Sequence, residues 1–341
     1  MHRTDAMRVE LPVSRPSNER PAHIDTTLAH DRIAVEKDRS VMSIQGNPGP
    51  ATSTGTELAP IVCCIDDGFV QPLCVLMQSL AVVHRDATAR FTFVIIFREL
   101  SDASQRSIRE HADRLGLALD LRRVPPPDSR YPEFRTGSDA TYTRLAIPEV
   151  IPDHRIVLYL DVDLIVLGDL RPLLTRSLGG APLAAVPDPT KPLLGLGRAM
   201  PGWQDLGLHA DRGYFNNGVA LLDVEECRRR NLFAEASRFL IEHPDSVRYW
   251  DQDAMNWAAA DDWVRLERTW NTFALSPLVG LGEYVHRAES VLPLHQLLAD
   301  EDTAAVLHFA GPRKPWMADY PEGPHRDRYL RLVRMTTDRS R

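Results

Sequence analysis

The 341-residue chain has no apolar run long enough to cross a bilayer, and its N-terminus lacks a basic stretch followed by an apolar one. The sequence therefore predicts a cytoplasmic protein. Cysteine is scarce: Cys63, Cys64, Cys74 and Cys227 are the whole set, and no CxxC spacing occurs. That argues against a disulfide framework or a thiolate zinc site and fits a reducing compartment. A surplus of positive charge is missing too. The net charge of −7 excludes a generally basic nucleic-acid binder. It does not exclude phosphate ligands, because a bound divalent cation supplies positive charge locally. No internal repeat is present, which removes solenoid architectures.

What remains is globular: 43% of residues are hydrophobic and 26% charged, enough for a sizeable core. Residues 1–56 are polar, and Gly46-Asn47-Pro48-Gly49-Pro50 closes them as a linker, so they read as a disordered N-terminal tail. Residues 57–320 read as one folded domain and 321–341 as a basic C-terminal tail. Short apolar runs at 59–65, 91–97 and 117–124 predict strands, and the stretches 72–83 and 101–115 predict helices between them. Ser101 is placed to cap the second helix. This alternation predicts an α/β fold with a Rossmann-like, mostly parallel sheet flanked by helices. Further strands are expected at 155–160, 182–186, 219–223 and 305–309, with helices at 141–147, 225–242 and 252–259.

The strongest strand signal, Arg155-Ile156-Val157-Leu158-Tyr159-Leu160, runs straight into Asp161-Val162-Asp163. Carboxylates at i and i+2 on a strand point to one side, about 7 Å apart along the backbone. The carboxyl edge of a parallel sheet is where α/β folds bind ligands, and paired hard oxygens suit Mg2+ or Mn2+ with a diphosphate. Taken alone, the pair reads more readily as two solvated strand-end aspartates, because this spacing is common by chance.

The segment 158–170, Leu-Tyr-Leu-Asp-Val-Asp-Leu-Ile-Val-Leu-Gly-Asp-Leu, resembles the signature of the family 8 glycosyltransferases, retaining enzymes of the GT-A fold. Five more segments match in order. Ile65-Asp66-Asp67 resembles the end of the family's first strand and Tyr142-Thr143-Arg144-Leu145 its TYxRL helix start. Phe215-Asn216-Asn217-Gly218-Val219 resembles FNAGV, and Asp251-Gln252-Asp253-Ala254-Met255-Asn256 resembles DQDxLN. His308-Phe309-Ala310-Gly311-Pro312-Arg313-Lys314-Pro315-Trp316 resembles HxxGxxKPW. The resemblance covers about residues 60–320 and names bacterial lipopolysaccharide galactosyl- and glucosyltransferases and glycogenin as relatives.

This resemblance implies a hexosyltransferase that takes glucose or galactose from a UDP-sugar to a glycan or other hydroxyl acceptor. It implies metal ligation by Asp161, Asp163 and His308, and the O/O/N set favours Mn2+, with Mg2+ as the alternative. Asp66 and Asp67 would meet uracil and ribose. Arg144, Asp188, Asn216 and Asn217 would line the donor sugar or diphosphate, and Gly311 and Lys314 would meet the phosphates. Gln252 would sit beneath the anomeric carbon, with Asp251 on sugar hydroxyls. Phe69 stands where many relatives have tyrosine, and Asn217 where they have alanine. Acceptor contacts are expected between Lys191 and Arg212. Other readings of the carboxylate pair are a metal-dependent nucleotidyltransferase or phosphohydrolase and a non-catalytic sugar-nucleotide-binding protein. The first would call for further carboxylates and a glycine-rich phosphate loop. The C-terminal stretch carries arginines 326, 328, 331, 334, 339 and 341. As a helix it would put Tyr329, Leu332, Val333 and Thr336 on one face, for peripheral contact with an anionic membrane, or it is a solvated tail.

Overall fold

Buried apolar runs need partners on both sides. In the computed structural model, which describes residues 58–133, 140–282 and 284–338, they find them in two sheets. The strands among the described residues are β1 (Ile61–Cys64), β2 (Thr92–Phe97), β3 (Ala118–Arg123), β4 (Ile156–Leu160) and β5 (Leu164–Val166). They continue with β6 (Leu183–Pro187), β7 (Phe215–Asp223), β8 (Val264–Arg265), β9 (Thr272–Phe273) and β10 (Val306–His308). The main sheet has the order β3-β2-β1-β4-β7-β6-β8, and β5-β10-β9 form a smaller one. In the main sheet only β7 runs against its neighbours β4 and β6, so the sheet is mostly parallel, as predicted.

Alternation along the strands decides which helix covers which face. Ile61, Cys63, Leu158 and Leu160 pack with Leu73, Leu76 and Met77 of helix Val70–Val83 and with Ile108 of helix Asp102–Leu115. Val62, Val157 and Tyr159 pack on the other face with Phe233 and Phe239 of helix Leu232–Glu242 and Met255 of helix Trp250–Ala259. Ser101 caps helix Asp102–Leu115 as expected, its hydroxyl accepting from the Ser104 N–H at 3.2 Å.

Three expectations are corrected. The helix expected at 141–147 is Ala140–Thr143, then a 3-10 turn at Arg144–Ala146, then Ile147–Val150. Pro148 has no N–H to return to the Arg144 carbonyl, and Ile147 bonds that carbonyl instead. The helix expected at 225–242 divides into Val224–Arg229 and Leu232–Glu242, because Asn231 takes a left-handed conformation with φ of 54°. The stretch read as a C-terminal tail contains the helix Pro324–Thr337. Its Tyr329 and Leu332 are buried against Val75, Ile165 and Phe309. The apolar side offered to a membrane is thus committed to the core, and Arg328, Arg331 and Arg334 stay exposed. Arg339 and Arg341, like the N-terminal segment 1–56, lie outside the described residues. No helix among the described residues is long and apolar enough to cross a membrane.

Candidate active site

β4 stops at Leu160 and β5 starts at Leu164, so Asp161-Val162-Asp163 is the link between the two sheets rather than the end of one strand. The chain turns, and one oxygen of Asp161, one of Asp163 and a ring nitrogen of His308 all lie within 4.8 Å of one another. The small sheet delivers the histidine. β10 pairs antiparallel with β5 so that His308 stands opposite Leu164, and the Phe309 N–H donates to the Asp163 carbonyl at 2.9 Å. His308 Nε2 is 3.2 Å from Asp163 Oδ1 and 4.0 Å from Asp161 Oδ2.

β7 supplies the floor. Because it runs antiparallel to β4, its first residues meet the end of β4, and the Asp161 N–H donates to the Gly218 carbonyl at 2.8 Å. A Cβ on Gly218 would stand 2.8 Å from Asp161 Oδ2 and strike the His308 ring. Only glycine leaves the cradle open. The Asn216-Asn217 pair expected just before a strand is inside β7 for the same reason.

Lys314 binds the cluster directly: its ammonium donates to Asp163 Oδ2 and, at 2.9 Å, to the Phe309 carbonyl. Burial pushes the Asp163 carboxyl upward, but Lys314 and His308 outweigh it and hold the group well below the usual carboxylate range. The loop between β10 and Lys314 turns at Gly311, whose φ of +98° suits glycine alone.

Beside the cluster lies a second set of side chains. Arg144 Nη2 donates to Asp161 Oδ1 at 2.8 Å, and its Nε is 3.0 Å from Asp251 Oδ2. Its guanidinium stacks over the Tyr159 ring at 4.3 Å, while the Tyr159 hydroxyl also donates to Asp161 Oδ1. Asn217 Nδ2 donates to Asp251 Oδ2 at 2.8 Å. Burial pushes the Asp251 carboxyl up to about 6 against the pull of Arg144. Gln252 accepts from Asn216 Nδ2 at 2.8 Å and donates to Asp188 Oδ2 at 3.2 Å. Burial alone would raise Asp188, yet Lys191, whose ammonium sits 2.8 Å away, keeps it below its ordinary value.

The start of helix Trp250–Ala259 is held under strain. Trp250 has φ of 47°, a costly conformation for a bulky residue. Asp253 pins it there. Its Oδ2 accepts from the Arg248 and Tyr249 N–H groups at 2.7 Å each, and its Oδ1 accepts from the Met200 N–H and the Tyr214 hydroxyl.

Of the predicted site residues, hydrogen bonds and ion pairs connect Asp161, Asp163, His308 and Lys314, and Arg144, Asp251 and Asn217. They likewise connect Asn216, Gln252 and Asp188. Asp66 and Asp67 follow β1, beside β4, and serve local structure: Asp66 Oδ1 accepts from the Gly68 N–H, and Asp67 Oδ1 accepts from Ser101. The Lys191–Arg212 stretch meets the site through Lys191. Sequence reasoning missed Tyr159 as a partner of Asp161, Lys191 beneath Asp188, and Asn271, which bonds His308 Nδ1 at 2.9 Å.

Residues 60–319 match the family model described as Glycosyl transferase family 8. The chain is 26% identical to General stress protein A of Bacillus subtilis (strain 168) over 299 residues, covering 82% of this chain and 94% of that protein. It is 28% identical to the lipopolysaccharide 1,2-glucosyltransferase of Escherichia coli (strain K12), over 75% of this chain and 73% of the enzyme. Its fold resembles that of galactosyltransferase LgtC, solved with donor and acceptor sugar analogs, with a TM-score of 0.66 and 27% identity. That match covers 82% of this chain and 96% of LgtC.

Proposed function

The chain belongs to glycosyl transferase family 8 and is a glycosyltransferase, and from that premise we propose that it moves a hexose, glucose or galactose, from a UDP-sugar to a hydroxyl of a glycan or other acceptor, with retention and with Mn2+ as cofactor. The observation that carries this reading is the convergence of Asp161, Asp163 and His308 within 4.8 Å, with the Lys314 ammonium on Asp163. Two carboxylate oxygens and an imidazole nitrogen suit Mn2+ better than Mg2+, and the bare floor at Gly218 leaves room beside them. A bound ion there supplies Lewis-acid neutralisation of the departing diphosphate.

The chain's own groups orient the donor. Lys314 has a third N–H left for a phosphate oxygen, and Gly311 lets the loop backbone approach the diphosphate. Asp66 and Asp67 take the uracil and ribose end. Asp188, Asn217 and Asp251 bind sugar hydroxyls, and Arg144 bridges Asp161 and Asp251 and offsets their charge. Gln252 lies under the anomeric carbon, where an amide is a poor nucleophile, so attack comes from the face the phosphate vacates. The bond from the anomeric carbon to the phosphate oxygen breaks through an oxocarbenium-like state that Gln252 stabilises. The acceptor oxygen bonds to that carbon, and its proton passes to the leaving phosphate oxygen.

Purified protein with Mn2+ and a donor panel should release UDP from UDP-glucose or UDP-galactose. Asp163→Asn should lower that rate by about 10²- to 10³-fold and abolish the metal dependence of UDP binding. If no donor binds and none is hydrolysed, the reading fails. A glycosyl adduct trapped on Asp251 or Gln252 would replace same-face attack with a double displacement.

A further inference from the structure

Asn271 ends the 3-10 turn Arg268–Asn271, immediately before β9, whose pairing with β10 sets Phe273 beside His308. Its side chain is buried and both ends of its amide are engaged, Oδ1 with His308 Nδ1 at 2.9 Å and Nδ2 with Asn216 Oδ1 at 2.8 Å. From Asn216 the run continues through Gln252 to Asp188. One unbroken line of side-chain hydrogen bonds thus joins the histidine of the Asp-Asp-His cluster to the glutamine proposed to sit under the sugar.

We propose that Asn271 is a positioning residue that fixes which nitrogen of His308 carries the proton and which end of the Gln252 amide faces the donor. The proposal rests on the glycosyl-transfer reading above. The direction of the line is set at three points where only one polarity is possible. The Asp188 carboxylate can only accept, so Gln252 Nε2 donates to it. The Asn217 backbone N–H can only donate, and it points at Gln252 Oε1 at 3.3 Å. The Gly218 backbone N–H donates to Asn216 Oδ1 at 3.0 Å. Asn216 must therefore give its N–H to Gln252 and accept from Asn271. Asn271 is left with its oxygen for His308, so Nδ1 carries a proton and Nε2 is the nitrogen turned to Asp161 and Asp163, able to give its lone pair to a cation held between them. That is the tautomer a metal ligand needs.

Two substitutions separate the two tasks. Asn271→Leu removes both contacts. Asn271→Asp keeps an acceptor for His308 Nδ1–H and removes the donor to Asn216. The readouts at pH 8 are Mn2+ affinity of donor-free protein, from the free-ion paramagnetic resonance signal, and kcat and KM for UDP-glucose and UDP-galactose hydrolysis. Asn271→Leu should weaken Mn2+ binding by about 10- to 100-fold. Asn271→Asp should hold or tighten Mn2+ binding while kcat falls tenfold or more at unchanged donor KM. Wild-type Mn2+ affinity and kcat in Asn271→Leu would overturn the proposal. So would wild-type kcat in Asn271→Asp, the variant that decides the matter if the leucine protein does not fold. A wild-type protein that neither binds Mn2+ nor turns over a donor would sink the functional reading itself. That result is distinct from a working wild type with indifferent variants.

Discussion

At the scale of single residues, the site keeps a carboxylate where water cannot reach it. Asp251 is buried, and burial pushes its carboxyl up to about 6 from 3.8. Between those two values the folded chain holds a proton that the unfolded chain has released. Raising the pH through that window therefore lowers stability, by about 3 kcal/mol for a shift of this size. Asp251→Asn removes the titration. Urea midpoints taken from pH 4 to pH 7 should fall for wild type relative to Asp251→Asn, and two parallel curves would refute the assignment. Turnover should also fall in Asp251→Asn, because Arg144 and Asn217 both hold that carboxylate.

At the scale of elements, the helix Pro324–Thr337 is a buttress for the Lys314 loop. Tyr329 is fully buried, and its ring lies 5.6 Å from Phe309 and 5.5 Å from Trp316, the two aromatics that bracket Lys314 in sequence. Tyr329→Ala should cost about 3–5 kcal/mol and raise the donor KM through a loosened Lys314 loop. Thermal melts and donor titrations check both, and an unshifted midpoint would show that the helix is dispensable. This element was half legible in the sequence. Its apolar face was evident at i and i+3, but nothing local said whether protein or lipid would cover it. The same limit runs through the fold. β1, β2 and β4 announced themselves as buried apolar runs, the first stopping at Asp66 and the last at Asp161. β5, β8 and β9 have two or three residues each, too few for any period to register. Asn271 was invisible because its partner His308 is 37 residues away and no pattern leads from one to the other.

At the scale of the whole molecule, the site draws on both sheets and on the loops after β4, β6 and β10, so its occupation should be felt by the entire fold. Adding UDP with Mn2+ at about a hundred times the dissociation constant should contribute about 2.7 kcal/mol, a rise in Tm of about 5 °C. UDP with a chelator should give much less. Equal shifts with and without the metal would speak against the cluster at Asp161. The residues 161–163 carry a further consequence, because they are both the only covalent bridge from β4 to β5 and the bearers of two ligand-type side chains. A hinge at that bridge would pull the cluster apart each time it flexed. The same three residues thus tie the two sheets together and gather the cluster, so the geometry of the site depends on how the sheets are joined.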